Sequence, residues 1–187
     1  MSWSKRLVPL FLLLSLTACG FRPLYGTKSV DPGTVAELAS VSIRPLDDRQ
    51  GQMIHNALLT RFNPRGEPLK PRYDLWVTYT VSEGQSALRT DDTATRNTLF
   101  FAVTYRLLEK GVAIVIGNVT KQVSYDFLTQ HYADVSADED MRRRASEMLA
   151  EEVRNRIAAY FIRNAEMKAE TAKKAAATKT PATGATQ

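Results

Sequence analysis

Between Tyr73 and Phe127 the chain carries three successive runs in which apolar and polar residues alternate. Tyr73, Leu75, Val77, Tyr79 and Val81 interleave with Asp74, Trp76, Thr78 and Thr80. Leu99, Phe101, Val103, Tyr105 and Leu107 interleave with Thr98, Phe100, Ala102, Thr104 and Arg106, and after a tight turn near Glu109, Lys110 and Gly111 the apolar set resumes with Val115, Val119, Val123, Tyr125 and Phe127. Successive side chains on a strand point to opposite faces, so each run builds one apolar and one polar face. Three long strands in direct succession read as an antiparallel meander. A sheet that is apolar on one side needs a second layer to cover it.

Two helices are available for that layer. From Arg49 to Phe62 the residues Met53, Ile54, Ala57, Leu58 and Phe62 recur at helical spacing, and Asn63 with Pro64 ends the run. Ser136 and Glu139 have capping-box spacing ahead of a stripe of Met141, Ala145, Met148, Leu149, Val153, Ile157, Tyr160 and Phe161, a helix of about six turns. Val41 to Arg44 is a short strand, which gives the order β-α-β-β-β-α with no internal repeat. The expected fold is an α+β two-layer sandwich, two helices on one face of a four-stranded, mainly antiparallel sheet. Its first crossover makes a right-handed connection between parallel strands. With the helices over Leu75, Val77, Phe101, Val103 and Val119, the opposite face shows Trp76, Thr78, Thr80, Thr98, Thr104, Asn118, Thr120, Gln122 and Ser124. A half-covered sheet has a solvated side in any case. Trp76 and Phe100, with Ile114 and Ile116, instead favour a partner-facing surface that includes Thr78.

The N-terminus sets the compartment. Lys5 and Arg6 precede a run from Leu7 to Leu16 that is apolar except at Pro9 and Ser15, followed by small residues and the only cysteine, Cys19. This is a charged, apolar and cleavable signal, far short of the roughly 20 residues a spanning helix needs. Removing it takes two bases and lowers the formal charge from +5 to +3. Export makes nucleic acid an improbable partner and an anionic lipid surface a better match for the basic balance. A single cysteine rules out an internal disulfide, so stability must come from a packed core. The expected organisation is a signal at 1–18, an acylated Cys19 with a Gly- and Pro-punctuated spacer to residue 36, a domain at 37–166, and a disordered tail at 167–187. That tail is almost entirely Ala, Thr and Lys from Lys168 on.

Leu16, Thr17, Ala18 and Cys19 resemble a lipobox, and Cys19 to Gly26 reads CGFRPLYG. Together they resemble the start of the lipopolysaccharide-assembly lipoprotein family LptE, in its alphaproteobacterial form, and the element order resembles that family over essentially the whole chain. The resemblance implies a diacylglycerol on the Cys19 sulfur, cleavage before it, and attachment to the periplasmic face of the outer membrane, with Gly20 rather than aspartate after the cysteine. Two or three acyl chains hold durably where one does not. It further implies a non-enzymatic plug and assembly factor for the LptD β-barrel that binds lipopolysaccharide itself, with no cofactor beyond the covalent lipid.

Lipid A carries phosphates, which a planar arginine fork matches. The family's lipopolysaccharide-contacting arginine lies between the second and third strands, where Arg89 matches it by position; Arg96 and Lys121 are the further candidates. The family's lysine before the last helix has no counterpart, since Val135 to Asp140 contains no base. Arg142, Arg143 and Arg144 read as a solvated helix face or a patch for acidic groups. The only histidines, His55 and His131, form no catalytic or metal-binding spacing with other residues. The rival function is a lipid-binding lipoprotein that works without a barrel and holds acyl chains in a sheet groove.

Lipidation is directly measurable. In the native host the wild-type protein is expected to incorporate labelled palmitate and to show an intact mass starting at acylated Cys19, and Cys19→Ser to do neither. An unmodified wild-type polypeptide beginning at Met1 would refute the anchor.

Overall fold

The computed structural model describes residues 32–88, 94–126 and 131–178. Its elements are α1 (Pro32–Ala39), β1 (Val41–Ile43), α2 (Asp48–Phe62), β2 (Tyr73–Leu88), β3 (Ala94–Glu109), β4 (Val112–Asp126) and α3 (His131–Thr178). The four strands form one sheet in the order β1-β2-β3-β4, with β1 parallel to β2 and the remaining pairs antiparallel. This is the expected α+β sandwich.

The β3–β4 hairpin closes on Lys110 and Gly111, with φ of 52° and 82° and Glu109 paired to Val112. Two consecutive left-handed residues make the turn whose twist matches that of its strands. One extra residue, Ile114, bulges out of β4 opposite Leu107 and Leu108 and packs against the core.

The helices cover the face carrying Leu75, Leu99, Phe101, Val103, Leu107 and Val119, all buried. From α3 come Ala145, Leu149, Val153, Ile157 and Phe161, spaced four apart, and from α2 come Ile54, Leu58 and Phe62. Full burial of each large aliphatic or aromatic side chain contributes about 1.5–3 kcal/mol. Asn63 fastens the end of α2 to the start of β1: its Nδ2 donates to the carbonyls of Ala39 at 3.3 Å and Val41 at 3.1 Å.

Three expectations are corrected. Residues 32–36, assigned to a spacer, begin α1, with Pro32 in the first helical position its fixed φ favours. The last helix starts at His131, so Ser136 lies inside it and is not its cap. It also continues to Thr178 through residues assigned to a disordered tail, because alanine, lysine and glutamate have high intrinsic helix propensity. Residues 179–187, like Cys19 and the rest of 1–31, lie outside the described residues.

The start of α2 is held by Asp48. It takes a φ of 61°, and its Oδ1 accepts the Gly51 amide at 2.9 Å and the Tyr79 hydroxyl at 2.5 Å. Gly51 is needed there, because a Cβ would stand 2.9 Å from Leu46 Cβ. The Gly51 bond, then the Tyr79 bond, hold the Asp48 carboxyl below its ordinary 3.8. Burial, then the bond to Asp48, push the Tyr79 hydroxyl up to about 12. The depressed acid stabilises the fold above the usual carboxylate range, and this is lost as pH falls through its folded pKa. The raised phenol stabilises it below about 10, and this is lost as pH climbs to about 12. Urea midpoints across pH should therefore show both limbs in the wild type, no Tyr79-dependent alkaline limb in Tyr79→Phe, and no Asp48-dependent acid limb in Asp48→Asn.

Candidate functional site

Among the described residues no helix covers the sheet face away from α2 and α3, the bare face, which is exposed at Trp76, Phe100 and Ile116 and closed only at Thr98, 5% exposed, and register places its residues in rows across β2, β3 and β4. These are Trp76–Arg106–Ile116, Thr78–Thr104–Asn118, Thr80–Ala102–Thr120, Ser82–Phe100–Gln122 and Gly84–Thr98–Ser124. The middle of the face is a floor of hydroxyls and amides. There Asn118 Nδ2 donates to Thr104 Oγ1 at 3.2 Å; beyond Phe100, the Thr98 and Ser124 hydroxyls lie 2.9 Å apart. A shallow hollow of about 340 Å3 opens between Thr80, Ser82, Phe100, Ala102, Thr120 and Gln122.

Apolar groups stand at both ends of this floor. Trp76 is 42% exposed, Phe100 44% and Ile116 65%. The Phe100 ring lies against Gly84, where a Cβ would come within 3.3 Å of it. The Arg44 guanidinium sits 4.0 Å from the centre of the Trp76 ring, a contact worth about 0.5–1 kcal/mol at an exposed site. Arg106, exposed and directly across the ladder from Trp76, adds a second base. Neither Arg44 nor Arg106 stands out in the sequence, where the only pointer to their cluster is a tryptophan in the polar register of a strand.

The sequence-derived candidates are dispersed. Trp76, Thr78 and Phe100 share the bare face. Arg96 stands on that face in the row Ser86–Arg96–Asp126 and is exposed. Lys121 is paired with Phe101 and so pleats to the helix side. Arg89 lies outside the described residues. The arginine run of α3 is consumed locally: Arg142 pairs with Asp138 and Glu83, Arg143 with Asp140 and Glu147, and Arg144 with Asp140. Tyr125 extends the Arg142 cluster, since its hydroxyl donates to Asp138 at 3.3 Å and accepts from Asn97 at 3.1 Å. Among the described residues no group of three His, Cys, Asp or Glu side chains is placed to hold a metal ion.

The elements make a two-layer α+β domain with its helices on one side of the sheet. Solved structures share it. A protein described as a lipoprotein of Caulobacter crescentus CB15 matches with a TM-score of 0.59 and 24% identity over 71% of this chain and 97% of its own. A minor lipoprotein of Acinetobacter baumannii matches at 0.50 and 19% over 64% and 89%, and an uncharacterised lipoprotein B of Nitrosomonas europaea at 0.51 and 12% over 65% and 81%. At these identities the likeness establishes the fold. Among curated proteins no match is found. The chain belongs to the LptE family, described as Lipopolysaccharide-assembly, whose pattern it matches over residues 38–157. That span runs from the end of α1 to Ile157 in α3 and contains the entire bare face.

Trp76 is the only tryptophan in a chain that starts at Cys19, so its fluorescence reports on this face alone. Arg44→Ala should shift its emission to the red while changing stability by about 1 kcal/mol or less. Unchanged emission would mean that the stack does not persist in solution.

Proposed function

We propose that this chain, anchored to the periplasmic side of the outer membrane by lipid on Cys19, assists assembly of the LptD β-barrel and plugs it, and that it contacts lipopolysaccharide on its way to the cell surface. The observation that carries this reading is the bare sheet face of a chain in the LptE family. Large membrane barrels have polar interiors, so a plug needs a surface that offers hydrogen bonds. The floor from Thr78 to Gln122 offers hydroxyls and amides, with Trp76 and Phe100 as anchors at its ends. The role is one of scaffolding. Phosphate contact is assigned to Arg89, Arg96 and Lys121, of which Arg96 shares the face of the proposed contact with the barrel. The rival reading, acyl chains held in a sheet groove without any barrel, is less favoured because the hollow at Ala102 is shallow and, beside Phe100, lined by Thr80, Ser82, Thr120 and Gln122.

Detergent extraction followed by affinity purification tests the proposal. Wild-type protein should bring down a large β-barrel. Phe100→Asp and Thr80→Glu, both at exposed positions, should lower that recovery by roughly tenfold or more while leaving the domain folded. Abundant wild-type protein with no barrel partner would overturn the reading, as would full recovery with both variants.

A further inference from the structure

The two edges of the sheet are treated differently. The outer edge of β4 is guarded, because it carries the Ile114 bulge and Lys121, and Arg156 Nη1 reaches across from α3 to the Asn118 carbonyl at 2.7 Å. Bulges, lysines and covering groups are the ordinary means of keeping foreign strands off an edge. Among the described residues β2 has no such cover beyond Leu75. β1 pairs with it only from Tyr73 to Leu75, the last bond running from the Arg44 amide to the Leu75 carbonyl at 3.0 Å. Pro45 then follows and the chain turns away toward α2.

The direction of the exposed backbone follows from that bond. Leu75 points its amide and carbonyl toward β1, so by the period of two Val77, Tyr79, Val81 and Glu83 point theirs the same way, while the alternate residues face β3. Among the described residues no backbone partner occupies the outer side of these four. Beside them lies a groove of about 630 Å3, bounded by Pro45, Leu46, Asp47, Asp48, Gln50 and Arg142. Arg142 is already neutralised by Asp138 and Glu83. Asp47 and Asp48 form no ion pair among the described residues, so the free charge of the groove is negative on a chain whose overall charge is positive.

We propose that the open edge of β2 from Val77 to Glu83 is a docking site for an extended polypeptide strand bearing basic side chains, which adds to the sheet where β1 ends and sets its lysines or arginines against Asp47 and Asp48. Main-chain bonds supply the affinity in this mode of recognition and the flanking groove supplies the selectivity. The site is separate from the bare face and does not depend on a barrel.

The probes are synthetic eight-residue peptides that alternate lysine with valine, the same peptide with glutamate for lysine, and the lysine peptide N-methylated at alternate residues. Deuterium exchange of the folded protein is followed residue by residue. The lysine peptide should slow exchange at Val77, Tyr79, Val81 and Glu83 by about tenfold or more, and the glutamate and N-methylated peptides should not. Asp47→Lys should remove the preference for the lysine peptide. Val81→Pro removes an outward amide without breaking the ladder to β3, and should abolish protection; the N-methylated peptide makes the same test on unaltered protein. Protection confined to other regions, equal protection by all three peptides, or protection that grows with protein concentration in the absence of peptide, as self-pairing would give, each overturns the proposal.

Discussion

The stripe of α3 that runs Ala145, Leu149, Val153, Ile157 and Phe161 is the contact on which the architecture rests. Spaced four apart, these residues lie along one line of the helix, and that line meets the apolar face of β3 and β4. The small buried residues Ser146, Ala150 and Ala158 beside it leave room for neighbours to approach closely. α2 then packs in the remaining angle: Gln50 Nε2 donates to Ser146 Oγ at 3.0 Å and Arg154 Nε to the Arg61 carbonyl at 3.0 Å. Both large helices are thereby committed to one side of the sheet. The bare face and its placement on β2, β3 and β4 are consequences of that commitment.

Much of this was readable from residue order. Alternation over Tyr73–Val81 and Thr98–Leu107 predicts both strands and both faces, since the period of two is insensitive to tertiary context. The stripes of α2 and α3 are equally plain. What escaped notice depends on interactions between distant residues or on weak local preference. Ile114 reads as a member of the bare face, but the bulge moves it toward the core. The capping-box spacing at Ser136 is real in sequence, yet the helix already runs through it. The Arg44 stack on Trp76 joins residues on different strands, and only the parallel pairing of β1 with β2 reveals it.

Charge shows the same division. In sequence, Arg142, Arg143 and Arg144 are the most concentrated basic feature of the domain. In the fold each meets carboxylates, most of them three or four residues away on the same helix, so the feature is nearly silent as a long-range field. Exposed pairs of this kind contribute little to stability. The bases that keep an outward role, Arg44 and Arg106, are scattered in sequence and meet only at Trp76. Family membership places the chain in lipopolysaccharide assembly.

Beyond Phe161 the last helix runs on to Thr178, and from Ala165 to Ala175 its side chains are exposed. At 1.5 Å per residue this is a rod of about 25 Å. The ion pair described along it is local, Lys174 with Glu170, so helix–coil balance rather than packing governs its length. An exposed helical extension of this kind adds or sheds turns at its free end by the helix–coil balance, leaving the sheet at its base untouched.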